Sequence, residues 1–235
     1  QLKESIRPET MLISVMFANN EIGTIQPIEE IGEIAKEHGI LFHVDAVQAL
    51  GSVKIDVNKQ HIDLLSMSAH KIGGPKGIGG MFIRKGTRID NFVHGGGQER
   101  GRRAGTEGVQ NIVGFGKAVE IASQNFEHHV ERLTVLRNRL IEGIKKNIPD
   151  VVLNGHPTRR LPNNVNFSYK FVEGESILLL LDMEGISASS GSACTSGSLD
   201  PSHVLLATGL DHGTAHGSIR FTISEEITEE DIELT

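Results

Sequence analysis

The sequence predicts an α/β fold: a larger domain with a mostly parallel sheet, followed by a smaller α+β domain at the C-terminal end. Two observations support this prediction. Over the first 85 residues, short apolar runs alternate with a helical pattern, which is typical of a layered α/β structure. After Pro149 the order changes to two strands, a helix, a loop of small residues, a second helix and a final strand.

In the first part of the chain, four strands and one helix are predicted. The helix is PIEEIGEIAKEHG, with Pro27 near its first turn and Gly39 at its end. The strands are the apolar runs MLISVMF, ILFHV, IDLLSMS and GGMFIRK, each bounded by polar or glycine-containing turns.

A long helical pattern runs from about Val109 to Asn147, with apolar residues three or four positions apart. We expect this helix to link the two domains. The expected limits are 1–122 for the rest of the larger domain, 123–148 for the linking region and 149–235 for the smaller domain. The smaller domain contains the strands VVLNG, NNVNFSY and SIRFTIS, the helices GESILLLLDMEG and PSHVLLATGL, and the loop SSGSACTSGS.

Composition and charge limit the classes of partner. The chain has 235 residues, of which 38% are hydrophobic and 23% charged, so it can bury a sizeable core and is not disordered throughout. Its net charge of −7 repels phosphate backbones and anionic lipid, so nucleic acid and membrane are not expected partners. The longest apolar run, Ile177 to Leu181, is far shorter than the roughly 20 residues of a membrane span.

The two ends of the chain suggest a piece of a longer polypeptide. The sequence opens with Gln1 and ends at Thr235, just after an acidic helix start. A targeting signal would be lost with a missing N-terminal part, so localisation is inferred only indirectly. We expect the cytoplasm.

Several chemically active side chains follow the predicted strands of the larger domain. Ligands of open α/β sheets bind beyond the C-terminal ends of the strands. A lysine there can form an imine, a carboxylate can keep a ring nitrogen protonated, and a hydroxyl and an imidazole can bind phosphate. This set suits a phosphate-bearing aromatic cofactor. The residues are Asn20 after the first strand, Asp45 and Gln48 after ILFHV, and Ser68, His70 and Lys71 after IDLLSMS.

Each of these residues also has an ordinary structural interpretation. Asp45 could cap the next helix, Lys71 could be a surface cation, and His70 could be a turn residue. Their joint occurrence at successive strand ends favours a site. The glycine-rich stretch from Gly73 to Gly80 lacks the Gly-Lys-Ser/Thr ending of a P-loop, so it predicts a tight turn and not a triphosphate site.

Two later segments carry further candidates. The polar stretch from His94 to Thr106 is either a solvated loop or an anion-contacting loop, with Thr106 as a helix cap or phosphate donor. Cys194 is the only cysteine, and its small neighbours favour an accessible nucleophile over a buried thiol. Arg220 could hold a substrate carboxylate with two hydrogen bonds, or form an ordinary surface ion pair.

The histidines do not predict a resident metal. His128 and His129 are adjacent on a helix and point in different directions, and the sequence contains no H-E-x-x-H spacing.

Six motifs, taken in order, resemble the cysteine desulfurases of the NifS/IscS type. These enzymes belong to the class V aminotransferase group of fold type I pyridoxal-phosphate enzymes. The resemblance covers essentially the whole chain. The motifs are NNEIG, HVDAVQ, SMSAHK, GPKGIGG, HGGGQERGRRAGT and SSGSACTSGS.

The resemblance implies cofactor roles for residues in the first half of the chain. Lys71 would hold pyridoxal 5′-phosphate covalently, and Asp45 would pair with its ring nitrogen. Gln48 would contact the ring oxygen, while Ser68 and His70 would bind the phosphate. The remaining implied roles are Asn20 near the ring and substrate, and Thr106 at the phosphate of the partner subunit's cofactor, so that the site belongs to a homodimer. The family's N-terminal segment, which supplies another phosphate-binding threonine and a stacked histidine, is absent from this sequence.

The resemblance also implies the reaction. L-cysteine would become L-alanine, Arg220 would clamp the substrate carboxylate, and Cys194 would take the sulfur as a persulfide. The sulfur would pass to an acceptor or iron–sulfur scaffold protein, for cluster assembly or thiolation. No resident metal is implied, and Cys194 is the one candidate iron–sulfur ligand during transfer. The alternatives are a class V aminotransferase or lyase for another amino acid, and a catalytically silent fragment that acts as an interaction module.

Overall fold

The structure is a computed structural model that describes residues 1–191 and 200–235. The described chain forms two compact units. The first unit consists of residues 1–17 and 27–126, and the second of residues 18–26 and 127–235. The domain limits expected from the sequence stay a prediction.

The first unit is built on a four-stranded sheet of order β1-β2-β3-β4. The first two pairings are parallel and the last is antiparallel, which confirms the predicted α/β class with its mostly parallel sheet. The strands are β1 (Leu12–Met16), β2 (Leu41–Asp45), β3 (Leu64–Ser68) and β4 (Gly79–Ile83).

The helices of the first unit follow the apolar spacing of the sequence. In α2 the buried positions Ile28, Gly32 and Ala35 recur at intervals of three or four, which places them on one face. That face packs against β2, whose Phe42 and Val44 are fully buried.

The unit also contains a 3₁₀ turn at Ala69–Ile72. Its helices are α1 (Leu2–Ser5), α2 (Ile28–Glu37), α3 (Gln98–Gly101) and α4 (Val109–Gln124).

Gly32 has no room for a side chain, and this gives a test of the packing of α2. A Cβ at Gly32 would lie 2.0 Å from the carbonyl oxygen of Gln60, so the backbone would have to shift. We expect Gly32→Ala to lower the free energy of unfolding by about 1–3 kcal/mol. The matched control is Gly116→Ala in α4, where a Cβ would meet no atom within 4 Å. It should raise the free energy of unfolding by roughly 0.5–1 kcal/mol in urea titrations. Equal effects of the two changes would contradict the prediction.

The predicted helix from Val109 to Asn147 is wrong as a single element. The structure divides it into α4 and α5 (Phe126–Asn147), with Asn125 at φ −122° and ψ 25° between them. Asparagine competes for backbone hydrogen bonds and has a low helix propensity, which explains a break at this position. The first unit ends at Phe126, and the rest of α5, from Glu127 onward, lies in the second unit.

The second unit is built on a three-stranded antiparallel sheet of order β5-β6-β7. Its core joins β6 and β7 to the apolar face of α5, where Leu133, Leu136 and Leu140 are buried. The strands are β5 (Val151–Leu153), β6 (Asn164–Tyr169) and β7 (Ser218–Thr222), and the other helices are α6 (Gly174–Met183), α7 (His203–Ala207), α8 (His212–His216) and α9 (Glu229–Leu234).

Helix α8 was not predicted from its short apolar pattern. Its start is marked by Asp211, whose side chain accepts a hydrogen bond from the backbone N–H of Thr214 at 3.0 Å. Hydrogen bonds from the Thr214 side chain and backbone lower the pKa of Asp211.

Within the described part of the chain, no helix combines the length and the hydropathy that a bilayer span requires.

Candidate active site

The first unit brings predicted site residues to one edge of its sheet. Asp45 is the last residue of β2, where it lies opposite Met16 of β1 and Ser66 of β3. Ser68 is the last residue of β3. Because β1, β2 and β3 are parallel, their carboxyl ends meet at the same edge. The structure therefore places a carboxylate and a hydroxyl at the edge where open α/β sheets bind ligands.

The 3₁₀ turn follows β3 directly and carries His70 and Lys71. Its conformation comes from the glycines that follow. Gly73 takes the left-handed conformation at φ 74°, and the N–H of Gly74 donates to the carbonyl oxygen of Ala69 at 2.9 Å. A Cβ at Gly74 would lie 2.9 Å from that oxygen and 3.2 Å from Cβ of Ala118 on α4. The turn is thus held close to α4.

Hydrogen bonding orders the side chains of this turn. Ser68 Oγ lies 2.7 Å from His70 Nδ1, so the hydroxyl and the imidazole form a joined pair. Lys71 is exposed, and no salt bridge links it to another residue that the structure describes. Its amine is therefore open to covalent chemistry with a carbonyl compound.

The Asp45 carboxylate stabilises a turn and does not cap a helix, which was the ordinary role suggested from the sequence, because the next element after β2 along the described chain is the strand β3. One oxygen accepts a hydrogen bond from the backbone N–H of Val47 at 2.9 Å, which stabilises the turn after β2. Gln48 lies half-buried in this turn. A carboxylate offers two oxygens with several acceptor sites, so the turn contact and a contact to a protonated ring nitrogen are compatible.

A row of polar side chains beside Asp45 was missed by the sequence interpretation. On β2, His43 Nδ1 lies 2.7 Å from Ser14 Oγ of β1, and His43 Nε2 lies 3.2 Å from Ser66 Oγ of β3. His43 and Asp45 are two positions apart on one strand and share a face of the sheet. The signal was present in the sequence as a histidine inside an otherwise apolar strand.

Thr106 and its loop also belong to the first unit. The segment from His94 to Thr106, predicted as a polar loop, contains the short helix α3, within which Glu99 and Arg100 have left-handed φ values of 51° and 58°. Thr106 is exposed and precedes α4 by three residues. Its role at a second subunit's cofactor stays a prediction.

The second unit pairs the two residues proposed for the substrate. Arg220 Nη1 on β7 donates to the backbone oxygen of Asn20 at 3.0 Å, although the two residues are 200 positions apart. Beside them, the backbone of Ser189 forms an isolated antiparallel bridge with Arg220. The N–H of Ser189 donates to the backbone oxygen of Arg220 at 3.0 Å, and the N–H of Arg220 donates to the backbone oxygen of Ser189 at 2.6 Å. Cys194 itself lies outside the described residues.

The NNEIG motif forms a tight turn that presents Asn20. The side-chain oxygen of Asn19 accepts the backbone N–H groups of Glu21 at 2.9 Å and Ile22 at 3.0 Å. Gly23 has φ 73°, and a Cβ there would lie 2.6 Å from Oδ1 of Asn164, so only glycine fits.

The buried Arg160 donates a hydrogen bond to the same turn. Arg160 is 3% exposed and donates from Nη2 to the Ile22 oxygen at 3.3 Å. Burial, with a further contribution from Arg137, lowers the pKa of Arg160 to about 10. Backbone carbonyl oxygens of the turn and of β6 thus take the place of water around this guanidinium.

Comparison with known proteins identifies the family. The aminotransferase class-V family model matches residues 1–234. Cysteine desulfurase IscS of Clostridium botulinum is 61% identical over 234 residues, which are 99% of this chain and 59% of that protein. Cysteine desulfurase IscS of Methanosarcina thermophila is 60% identical over 233 residues, which are 99% of this chain and 57% of that protein.

A solved structure agrees with the sequence matches. It is a NifS-like protein with a TM-score of 0.89 and 38% identity, aligned over 99% of this chain and 60% of that one. The chain spans about 59% of the length of the curated relatives it matches. The resemblance predicted from the six motifs is confirmed. From the match over nearly its whole length, the chain belongs to the aminotransferase class-V family.

Proposed function

We propose that this chain carries much of the active site of a pyridoxal-phosphate-dependent cysteine desulfurase. The reaction converts L-cysteine to L-alanine and leaves the sulfur on Cys194 as a persulfide. The observation that carries the proposal is that Ser68 at the end of β3, and His70 and Lys71 in the turn that follows it, lie at the same sheet edge as Asp45. Two relatives more than half identical to the chain bear the name cysteine desulfurase, which supports this choice of reaction.

The chemistry of these side chains fits pyridoxal 5′-phosphate. The exposed Lys71 amine can bond to its aldehyde carbon, and the joined hydroxyl and imidazole of Ser68 and His70 suit its phosphate. The Asp45 carboxylate suits a protonated ring nitrogen, and Gln48 is assigned to the ring oxygen. When bound, the cofactor supplies an electron sink for negative charge at the substrate α-carbon.

The protein's own residues then bind the substrate and move protons. Lys71 would act as the base that takes the α-proton of the substrate and would return a proton to the α-carbon as alanine forms, because its amine would lie beside that carbon once the substrate is bound. Arg220 holds the substrate carboxylate with its forked donors, and the backbone oxygen of Asn20 orients that guanidinium. The Asp45 carboxylate would hold the ring nitrogen in its protonated form.

Sulfur transfer is assigned to Cys194. Its thiolate attacks the substrate sulfur, so that an S–S bond forms as the bond between that sulfur and the β-carbon breaks. The electron pair of the broken bond remains with the β-carbon, which takes a proton and becomes the methyl group of alanine. The terminal sulfur of the persulfide passes to a thiol of an acceptor or iron–sulfur scaffold protein. Thr106 is assigned to a second subunit's cofactor phosphate, so the proposed enzyme is a homodimer.

Mass spectrometry of the complete protein that carries this chain tests the proposal. The protein is incubated with pyridoxal phosphate and L-cysteine, and its peptides are analysed with and without borohydride trapping. We expect the cofactor on the peptide that contains Lys71 and one added sulfur atom on the peptide that contains Cys194. Cofactor on Lys71 without sulfur on Cys194 would contradict the proposal and favour an aminotransferase or lyase for another amino acid.

Asp45→Asn tests the assigned role of the carboxylate. An amide cannot stabilise a protonated ring nitrogen by charge, so we expect alanine formation to fall by about 10²-fold or more while the cofactor still bonds to Lys71. The measurements are the rate of alanine release and the absorbance of the bound cofactor. The matched control is Asp90→Asn, an exposed carboxylate of the same unit. Equal rates in the two variants would argue against the assignment.

A further inference from the structure

The carboxylate of Glu21 is a buried group that the proposed chemistry does not use. Glu21 is 2% exposed and lies in the second unit. Burying a carboxylate costs free energy unless hydrogen bonds replace its water. One oxygen of this carboxylate accepts a hydrogen bond from Ser202 Oγ. The Ser202 hydroxyl therefore replaces part of the water that this side chain loses on burial.

The backbone of Glu21 is fixed from three sides, so the direction of its side chain is restricted. Its N–H donates to the side-chain oxygen of Asn19 at 2.9 Å. Its carbonyl oxygen accepts Nδ2 of Asn164 at 3.0 Å and Nδ2 of Asn166 at 2.9 Å. Both asparagines lie on β6, and Asn166 is paired in the sheet with Arg220.

Glu21 lies where the two described ends of the segment 192–199 come together. Ser202, which follows this segment, caps α7 and contacts the Glu21 carboxylate. Gly191, which precedes it, lies against the same two residues. A Cβ at Gly191 would be 3.1 Å from Cβ of Ser202 and 3.5 Å from Oε2 of Glu21. On the N-terminal side, Ser189 is bridged to Arg220.

We propose that Glu21 is a positioning residue for sulfur transfer, because its carboxylate holds Ser202 beside Gly191 and so fixes both ends of the segment that carries Cys194. This inference rests on the proposed function. Contact between Ser202 and Gly191 fixes the distance between the two residues that flank 192–199, and fixing where a nucleophile is attached raises its effective concentration at the substrate. Glu21 also belongs to the turn that presents Asn20 to Arg220, so one residue links the proposed substrate clamp to both flanking residues.

Two substitutions at Glu21 separate the hydrogen bond from side-chain volume. Glu21→Met keeps the length of the side chain and removes the acceptor, whereas Glu21→Gln keeps an oxygen that can accept from Ser202. In the complete protein loaded with pyridoxal phosphate, we expect Glu21→Met to slow persulfide formation on Cys194 by about 10-fold to 100-fold. Glu21→Gln should stay within about threefold of the unchanged protein, because its amide oxygen preserves the hydrogen bond. Equal rates for the two variants and the unchanged protein would overturn the proposal.

Substitutions at Ser202 test the same hydrogen bond at its donor. Ser202→Ala removes both the contact to Glu21 and the cap of α7, while Ser202→Thr retains a hydroxyl for both. We expect Ser202→Ala to slow persulfide formation on Cys194. Ser202→Thr should form the persulfide at a rate close to that of the unchanged protein. Ser123→Ala on the exposed face of α4 is the matched control and should leave the rate unchanged.

A positioning role must be distinguished from a general loss of structure. We expect Glu21→Met to leave two quantities within about twofold of the unchanged protein. They are the cofactor absorbance at Lys71 and the L-cysteine concentration that gives half of the substrate-induced spectral change. Cofactor occupancy and thermal stability falling in parallel with the rate would overturn the proposal.

Hydrogen exchange separates this inference from the proposed function. We expect backbone amides in 189–191 and 200–204 to exchange faster in Glu21→Met than in Glu21→Gln, whether or not the protein transfers sulfur. No persulfide in the unchanged protein would refute the proposed reaction alone. Identical exchange in both variants would refute the role of Glu21 alone.

Discussion

Lys71→Ala is expected to abolish covalent cofactor binding and to lower alanine formation by about three orders of magnitude or more. The substitution removes both the amine proposed to bond to the cofactor and the base proposed to take the α-proton. Lys71 itself is exposed, and the 3₁₀ turn that carries it depends on a backbone contact between Ala69 and Gly74, so alanine should leave the turn intact. The measurements are borohydride trapping of the cofactor and the rate of alanine release.

Lys76→Ala is the control for this experiment. Lys76 is an exposed lysine five positions later in the same glycine-rich stretch, so the change in charge is matched. It should leave trapping and alanine release unchanged. Trapping of the cofactor on another lysine in Lys71→Ala, with alanine formation preserved, would show that the strand-end lysine is not the cofactor residue.

Cys194→Ser is expected to retain the cofactor and lose sulfur transfer entirely. A serine hydroxyl is almost unionised at neutral pH, whereas a free cysteine with a pKa of about 8.5 is partly thiolate. Cys194 is the only cysteine of the chain, so no other thiol of this sequence can replace it. Peptide mass spectrometry after incubation with L-cysteine measures the added sulfur.

The cofactor absorbance serves as the internal control for Cys194→Ser. An unchanged spectrum together with absent persulfide is the expected pair of results. Normal alanine formation in this variant would remove Cys194 from the reaction and leave a class V lyase or aminotransferase as the better description.

The larger features of the fold were predictable from local sequence patterns. Apolar runs such as ILFHV and IDLLSMS became β2 and β3, and the helix after Pro27 ends before Gly39 as predicted. These patterns succeed because strand and helix periodicity are local properties of the chain. The break at Asn125 was missed because a continuous apolar period on both sides concealed a single weak helix former.

The site was predictable in part for the same reason. Asp45, Ser68, His70 and Lys71 follow strands in sequence, and parallel strands bring their ends to one edge. The polar row formed by Ser14, His43 and Ser66 required the register of three strands, which the sequence does not display.

The order of residues along the chain sets the chemistry available to this protein: a lysine, a carboxylate and a serine–histidine pair occur at or after the ends of successive strands, and the single cysteine lies among small residues. Which distant residues meet depends on how the elements pack. Asn20 contacts Arg220 across 200 positions, and Glu21 reaches Ser202 across 181. Such contacts depend on how β6 and β7 pack against the NNEIG turn, and no periodicity within one segment encodes them. Local pattern specifies elements, whereas the buried hydrogen bonds of Glu21 exist only once those elements have packed.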